Sequence, residues 1–444
     1  MSALIGCTVA SPAYYGHARV LAASFLEHHP DGRFVIVDLG AADGGDAIDP
    51  TSVPDRAELL PPVELFDEPG ELELLGLAYS TQGLAGCLKP RLLRYLLSRG
   101  EGPVALLDSD IFVLAGLEDL GERAGAEGLV ATPHLITPER SAERPTLIAG
   151  TLNSGFVVAA RSSLPLLDWW SERTRRDSIF RPSAGMVWEQ TWLGLAPAFF
   201  DVCVLRDPGV NTMTRELLDH DVEDRDGRPH LAGSPLRAMH FSGPYDPREP
   251  DWLLSQADEG PGVERRGGGD GLPWLSLADR PGALAISTEY ARRLIEAGAE
   301  DRRGAAPPFA TLALSGGPIP VHQAFRTAFR EAVIAAEAAG AELPPNPFAG
   351  DCEPDAFIDW LAEPVATGGG SGPSLNRFLV GLKALYAETA FREVPGPDTA
   401  AYLSWARHKL GPSPLGIPAR LLPQDRAHPS RRRLGPRRPH RPGK

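Results

Sequence analysis

Cysteine is scarce in this chain. Cys7, Cys87, Cys203 and Cys352 stand far apart, with the spacing of neither a metal-binding cluster nor a disulfide framework. Three of them sit among apolar neighbours, the pattern of buried thiols in a reducing compartment. Long hydrophobic runs are missing too: none approaches the roughly 20 residues that a membrane-crossing helix needs. The opening Met1-Ser2-Ala3-Leu4 lacks the basic stretch of a secretory signal and leads straight into a strand-like segment. A cytoplasmic location is expected from these absences. No fixed-period repeat occurs, and no G-x-G-x-x-G dinucleotide fingerprint follows the first strand.

Net charge is −14, but basic residues crowd the end. Arg426 to Lys444 holds Arg431-Arg432-Arg433, Arg437-Arg438, Arg441 and Lys444 among prolines, with almost no apolar content, so disorder is expected there. Two readings stand: a solvated tail without a partner, or attraction to an anionic membrane or polyanionic polymer, peripheral at the inner face of the membrane. Nucleic acid is disfavoured, because the body is acidic and no aromatic-basic platform accompanies the tail.

With 43% hydrophobic residues over 444 positions, a sizeable core and more than one unit are expected. Up to about residue 250, strand-like and helix-like segments alternate, predicting an α/β fold with a mixed, mostly parallel sheet flanked by helices. Strands are predicted at 4–10, 34–39, 104–107, 128–132, 155–160, 202–205 and 237–241. Helices are predicted at 14–28, 88–97, 165–175 and 186–196. The predicted organisation is a first domain over 1–250, a linker and irregular connection over 251–320, a helical accessory module over 321–412 and a disordered tail over 413–444. Within it, Pro261–Gly271 reads as a flexible connection or surface loop and Gly368–Gly372 as a linker. Helices of the module are expected at 321–339, 355–362, 375–387 and 399–409.

The strongest local signal is Val104-Ala105-Leu106-Leu107-Asp108-Ser109-Asp110-Ile111, a buried-strand pattern that ends in two carboxylates one residue apart. Such a strand delivers the pair to the sheet edge where α/β folds bind ligands. Two hard oxygen donors there suit Mg²⁺ or Mn²⁺ carrying a diphosphate; a turn whose aspartates only cap backbone groups is the plain alternative. At the first strand's end, Ala10-Ser11-Pro12-Ala13-Tyr14 offers small residues, free helix N–H groups and a ring that can stack on a base, or is an ordinary strand-to-helix turn.

Leu88-Lys89-Pro90 reads as a helix start, with Lys89 either within reach of a phosphate or merely on the surface. Asn153-Ser154 can meet sugar hydroxyls or form an Asx-turn. Glu189-Gln190 between Trp188 and Trp192 has the composition of sugar recognition and also of a plain amphipathic helix start. His240 ends an apolar strand; it is a structural histidine or, beside the carboxylate pair, a third metal ligand.

Taken in order, Ala10-Ser11-Pro12-x-Tyr14, Leu88-Lys89-Pro90, Leu107-Asp108-Ser109-Asp110-Ile111, Asn153-Ser154-Gly155-Phe156, Glu189-Gln190-Thr191-Trp192, Pro208-Gly209-Val210-Asn211 and His240-Phe241-Ser242-Gly243 resemble nucleotide-sugar-dependent glycosyltransferases of the A-type (GT-A) fold. The likeness is to family 8-like retaining enzymes and a related bacterial sugar-transferase group with a helical C-terminal extension. It covers roughly the first 250 residues, with the extension echoed in Phe357-Ile358-Asp359-Trp360-Leu361, Asn376-Arg377-Phe378-Leu379 and Tyr402-Leu403-Ser404-Trp405-Ala406.

The resemblance implies a Rossmann-like sheet and a retaining hexosyltransferase acting on a nucleotide-diphosphate sugar, with a glycan, lipid-linked or protein acceptor, in bacterial polysaccharide or glycoconjugate synthesis. Asp108, Asp110 and His240 would hold Mn²⁺ or Mg²⁺. Ala10, Ser11, Tyr14, Lys89, Asp108, Ser109, Asn153 and Ser154 would bind the nucleotide sugar. Gln190, Glu189 and Asn153 would act at the reacting sugar. Two departures stand out: Glu189 replaces the family's usual Asp, and Thr212-Met213-Thr214 follow Asn211 where the group often has aromatic and Asn residues. Two rival readings are a phosphohydrolase using Asp-x-Asp, against which Phe112 stands where Thr or Val is normal, and a transferase-like scaffold without turnover.

Overall fold

In the computed structural model, the described residues are 3–100, 102–267, 271–350, 352–365, 375–386, 390–394, 396, 398–410 and 416–423. The Gly368–Gly372 linker and the basic tail from Arg426 lie outside them. Seven strands are introduced first: β1 (Ile5–Ala10), β2 (Arg33–Asp38), β3 (Ala57–Leu60), β4 (Val104–Leu107), β5 (Ile111–Val113), β6 (Leu129–Pro133) and β7 (Leu152–Ala159). The central sheet has seven strands in the order Val202–Val204, β6, β7, β4, β1, β2, β3. All neighbouring pairs are parallel except those of β7, which runs antiparallel to both β4 and β6. The chain is therefore mixed α/β with a mostly parallel sheet between helices. β7 is buried along its whole length, as a strand covered on both faces must be.

Seven helices accompany this part: α1 (Tyr15–His28), α2 (Glu71–Ala78), α3 (Thr81–Ser98), α4 (Glu118–Glu127), α5 (Arg140–Ala149), α6 (Leu164–Asp177) and α7 (Gln190–Leu195). Leu88-Lys89-Pro90 is not a helix start. α3 begins earlier, where the Ser80 side chain accepts from Gly83 N–H, and Pro90 lies inside it. Proline at that point has no N–H for the preceding turn, but its ring is buried, so packing outweighs the local defect. The segment predicted helical over 186–196 is split: Met186–Val187 pairs with Phe180–Arg181 as a short hairpin, and the helix starts only at Gln190.

The stretch 251–320 is not an irregular connection. Trp252–Leu254, Val263–Arg266 and Leu272–Ser276 form an antiparallel sheet, whose second strand lies inside the segment Pro261–Gly271. A 16-residue helix, Pro281–Glu296, follows and packs on α1. The reason is apolar content at alternate positions: Leu253 and Leu275 face one core with Tyr290 and Leu294, which the glycines around them obscured.

The C-terminal helices Gln323–Ala339, Pro354–Ala362, Arg377–Tyr386 and Thr399–Leu410 share one continuous core with β1, β4, α2 and α3. Phe325, Phe329, Phe357 and Phe378 are fully buried there. Arg326 fastens this junction. Its guanidinium donates to the carbonyls of Gly76 (2.5 Å), Tyr79 (2.6 Å) and Phe309 (2.7 Å), satisfying acceptors left open at the end of α2. Burial pulls its pKa down to about 10. Arg326→Met should cost about 3 kcal/mol of unfolding free energy by stranding those buried carbonyls; urea unfolding checks this, and an unchanged midpoint would show that the contact is dispensable. Among the described residues, no helix is long and apolar enough to cross a membrane.

Candidate active site

A parallel sheet presents the C-terminal ends of its strands at one edge, and the reversed β7 presents its beginning there. Topology therefore brings Ser11 and Tyr14 after β1, Asp108 to Asp110 after β4, and Asn153 and Ser154 at the start of β7 to the same place. They line a cavity of about 360 Å³. α3 contributes Thr81, Gln82, Ala85, Gly86 and Lys89, which share one helix face, and Glu189 and Gln190 close the far side.

The two aspartates sit in a tight turn in which Ile111 N–H donates to the Asp108 carbonyl at 3.0 Å. β5 then pairs antiparallel with Ala238–His240, in a register that sets His240 opposite Ile111. Phe241 N–H donates to the Asp110 carbonyl at 3.0 Å. This pairing brings His240 Nε2 to 3.2 Å from Asp110 Oδ1. One ligand atom each from Asp108, Asp110 and His240 lies within 4.8 Å of the others. Burial opposes the charge on both Asp110 and His240, yet their mutual attraction wins: Asp110 is held below the ordinary carboxylate range and His240 above the ordinary imidazole value.

The imidazole is held from behind. His240 Nδ1 lies 3.0 Å from Asn211 Oδ1, and Asn211 Nδ2 donates to Thr132 Oγ1 (2.8 Å) and Asn153 Oδ1 (3.2 Å). Asn211 adopts φ 58°, a left-handed conformation that Asn tolerates better than most residues. The chain of bonds continues to His134, whose Nε2 is 3.1 Å from Asn153 Nδ2 and whose Nδ1 is 2.7 Å from the Gly150 carbonyl. Those partners fit a neutral ring with its proton on Nδ1.

Burial pushes the His134 pKa down to about 4 from an ordinary 6.5. Between those values the unfolded chain takes up a proton that the folded chain refuses, so stability should fall on acidification through that window, by on the order of 3 kcal/mol at its lower end. His134→Gln should flatten the slope when urea midpoints are followed from pH 7 to 4; an unchanged slope would remove His134 as its source.

Lys89 is the central cation. Its ammonium lies 2.8 Å from both Asp108 Oδ1 and Glu189 Oε1, and donates to Ser154 Oγ at 3.3 Å. Burial alone would discharge it, but the two carboxylates hold it firmly protonated. Glu189 is only 4% exposed; burial would raise its pKa, and Lys89 with the Ser154 hydroxyl (2.6 Å) brings it below the usual range. Gly86 makes this possible: a Cβ there would sit 2.1 Å from Glu189 Oε2.

Most residues singled out from the sequence meet here: Ser11, Tyr14, Lys89, Asp108, Ser109, Asp110, Asn153, Ser154, Glu189, Gln190 and His240. Ala10 does not. Successive strand residues face opposite ways, and Ala10 is fully buried in the core with Phe34 and Ile36. Gln190 reaches the cavity with its amide N–H₂ already given to the Ala149 carbonyl at 2.8 Å. The segments singled out from the sequence omit His134, Gln256, Thr81 and Gln82, which also line the wall, whereas Trp188 and Ser242 lie within those segments. His134 had a usable signal, since it directly follows β6 at the sheet edge where Asp108 follows β4; Gln256 had none.

No protein-family model matches the chain, and no curated protein matches it. Solved structures similar to it include glycosyltransferases. The galactosyltransferase LgtC in complex with donor and acceptor sugar analogues is 16% identical, covering 65% of this chain and 95% of its own, at a TM-score of 0.36. The glycosyltransferase GlyE of Streptococcus pneumoniae is 14% identical over 68% of this chain and 64% of its own, also at 0.36. Mouse xyloside xylosyltransferase 1 is 12% identical over 54% of this chain and 97% of its own, at 0.34.

Proposed function

We propose that this chain is a metal-dependent, retaining glycosyltransferase of GT-A type, which moves a hexose from a nucleoside-diphosphate sugar to an acceptor hydroxyl in bacterial polysaccharide or glycoconjugate synthesis. One observation carries the reading: Asp108, Asp110 and His240 converge within 4.8 Å of one another, beside the partly buried Lys89, in a cavity at the ligand-binding edge of the sheet.

The residues fit a divalent cation. Two carboxylates and one imidazole form a mixed oxygen and nitrogen donor set suited to Mn²⁺ or Mg²⁺. The remote nitrogen of His240 is occupied by Asn211, the arrangement that orients a ligating histidine. Space is kept open at Gly155, where a Cβ would lie 2.6 Å from Asp108 Oδ2 and 2.8 Å from His240 Cε1. A bound Mn²⁺ or Mg²⁺ supplies Lewis acidity to a departing diphosphate.

The protein's own groups do the rest in this reading. Lys89 places a fixed positive charge where the leaving oxygen becomes negative, an interaction that strengthens toward the transition state. Tyr14, 39% exposed, offers a ring face to the base, with Ser11, Ser109 and Ser154 beside the ribose and phosphates. Asn153 and the Oε1 of Gln190 face the transferred sugar and the attacking hydroxyl. Glu189 acts through Lys89, holding its ammonium in position. A carboxamide is a poor nucleophile, so retention proceeds by front-face attack, with the leaving phosphate accepting the acceptor's proton.

The phosphohydrolase alternative loses ground because Phe112 is buried in the core, against Tyr290. The scaffold alternative gives no reason for an intact donor set. A panel of nucleotide sugars with and without Mn²⁺, read as nucleoside diphosphate release, tests the proposal. Release that requires metal and yields product of unchanged anomeric configuration is expected; no release from any donor overturns the transferase, and an inverted product overturns retention.

A further inference from the structure

A second cavity, of about 540 Å³, adjoins the first and shares Gln82 and Trp188 with it. Its walls come from the α2–α3 junction, the Phe180–Val187 hairpin and the C-terminal helices Gln323–Ala339 and Arg377–Tyr386. Its size is within the range of about 300–1,000 Å³ typical of small-molecule clefts. We propose that this groove binds the acceptor, and that the acceptor is a neutral oligosaccharide of at least two rings. This rests on the transferase reading of the adjoining cavity.

Three aromatic rings set the chemistry. Phe180 is 57% and Tyr386 49% exposed, and Phe180 lies with its ring centroid 4.8 Å from that of Trp188. Flat rings with an electron-rich face attract the partly positive C–H faces of a pyranose, and exposed large rings at a cavity wall mark a binding surface.

Trp188 carries two further marks. Its φ is 50°, a conformation that a bulky residue keeps only where its surroundings impose it. Its indole Nε1 is buried with no hydrogen-bond partner among the described residues, an unsatisfied donor of the kind that native structures seldom keep. The hairpin holds the residue there: Trp188 N–H donates to the Ile179 carbonyl at 2.8 Å.

Charge and polarity narrow the ligand. The groove's arginines are engaged by the protein: Arg326 by four carbonyls, Arg330 beside Asp177 (3.7 Å) and Glu331 (3.5 Å), and Arg181 by the Ala384 carbonyl (3.2 Å). Among the described residues that line the groove, no arginine is therefore set aside for a phosphate or an acidic sugar; Lys409, at its rim, stands over the Tyr386 ring at 5.1 Å. Gln82 and Gln323 add exposed polar side chains to the lining, so the wall is mixed aromatic and polar rather than uniformly apolar. Length follows from position. The reacting hydroxyl must enter the first cavity near Gln190, so the ring bearing it lies there and the next ring lies against Phe180 and Tyr386.

The test uses the full-length protein and a panel of neutral mono- to tetrasaccharides, with sulfated counterparts, followed by saturation-transfer NMR. Binding of UDP and GDP with Mn²⁺ is measured in parallel by thermal shift. Neutral oligosaccharides should bind at least about tenfold more tightly than monosaccharides or sulfated analogues. Phe180→Ala and Tyr386→Ala, both at exposed positions, should each weaken that binding about tenfold while leaving nucleotide binding within about twofold. Phe180→Leu, which keeps bulk but removes the ring, should weaken it as well. Undiminished oligosaccharide binding in these variants overturns the groove, and equal or better binding of monosaccharides or sulfated glycans overturns the ligand class. Oligosaccharide binding without any nucleotide binding would sink the transferase reading while leaving the groove standing.

Discussion

Asp110→Ala should abolish sugar transfer, lowering turnover by at least about 10³-fold. The substitution removes one of three groups that meet within 4.8 Å and leaves His240 without its carboxylate partner. Stability should change little by comparison, because the Asp110 side chain is at the cavity wall and 15% exposed, and β5 keeps its pairing with Ala238–His240 through the backbone. Nucleoside diphosphate release measured across a Mn²⁺ titration, together with a melting curve, checks both halves. Turnover near that of the native enzyme at saturating Mn²⁺ would contradict the role given to this carboxylate.

Lys89→Met is expected to damage both stability and catalysis, and the two effects can be separated. Its ammonium is the cationic partner 2.8 Å from the nearly inaccessible Glu189 carboxylate. Removing it leaves a buried unpaired charge, worth about 3–5 kcal/mol. The sign of the pH dependence should reverse locally. In the native protein Glu189 has a lowered pKa, so its contribution is present above the unfolded value near 4.5 and is lost as pH falls. In the variant, burial is no longer opposed and the folded pKa rises above that value, so the deficit should grow as pH increases from 4 to 8. Lys89→Met with Glu189→Gln should recover much of the stability but not transfer, since the charge near the leaving phosphate is still missing; about 10²- to 10³-fold loss of kcat is expected. Recovery of full activity in the double variant would refute the role of Lys89.

Local chemistry went a long way in this chain. The strand predicted at 104–107 matches β4 in full, because four apolar residues followed by Asp-x-Asp leave little choice of where burial ends. Helix 14–28 and the helix near 399–409 agree with the structure to within a residue. Lys89 shows where local rules mislead: a proline suggested the first turn of a helix, yet Ser80 caps the helix nine residues upstream and Pro90 is interior. The segment over 251–320 misled in the opposite way, its glycines hiding an antiparallel sheet and the helix Pro281–Glu296.

By itself the sequence determined which residue types are available and where buried strands give way to polar ends, since both follow from the period and chemistry of neighbouring residues. It could not determine that the reversed strand β7 carries Asn153 to the edge where β4 ends, or that Ala238–His240 pairs with Ile111–Val113 and so meets Asp110. Nor could it determine that helices beyond residue 320 share the core of the sheet and wall a second cavity. Those facts come from pairing and packing between residues far apart in the chain, whose free energy is gained only once the whole core closes.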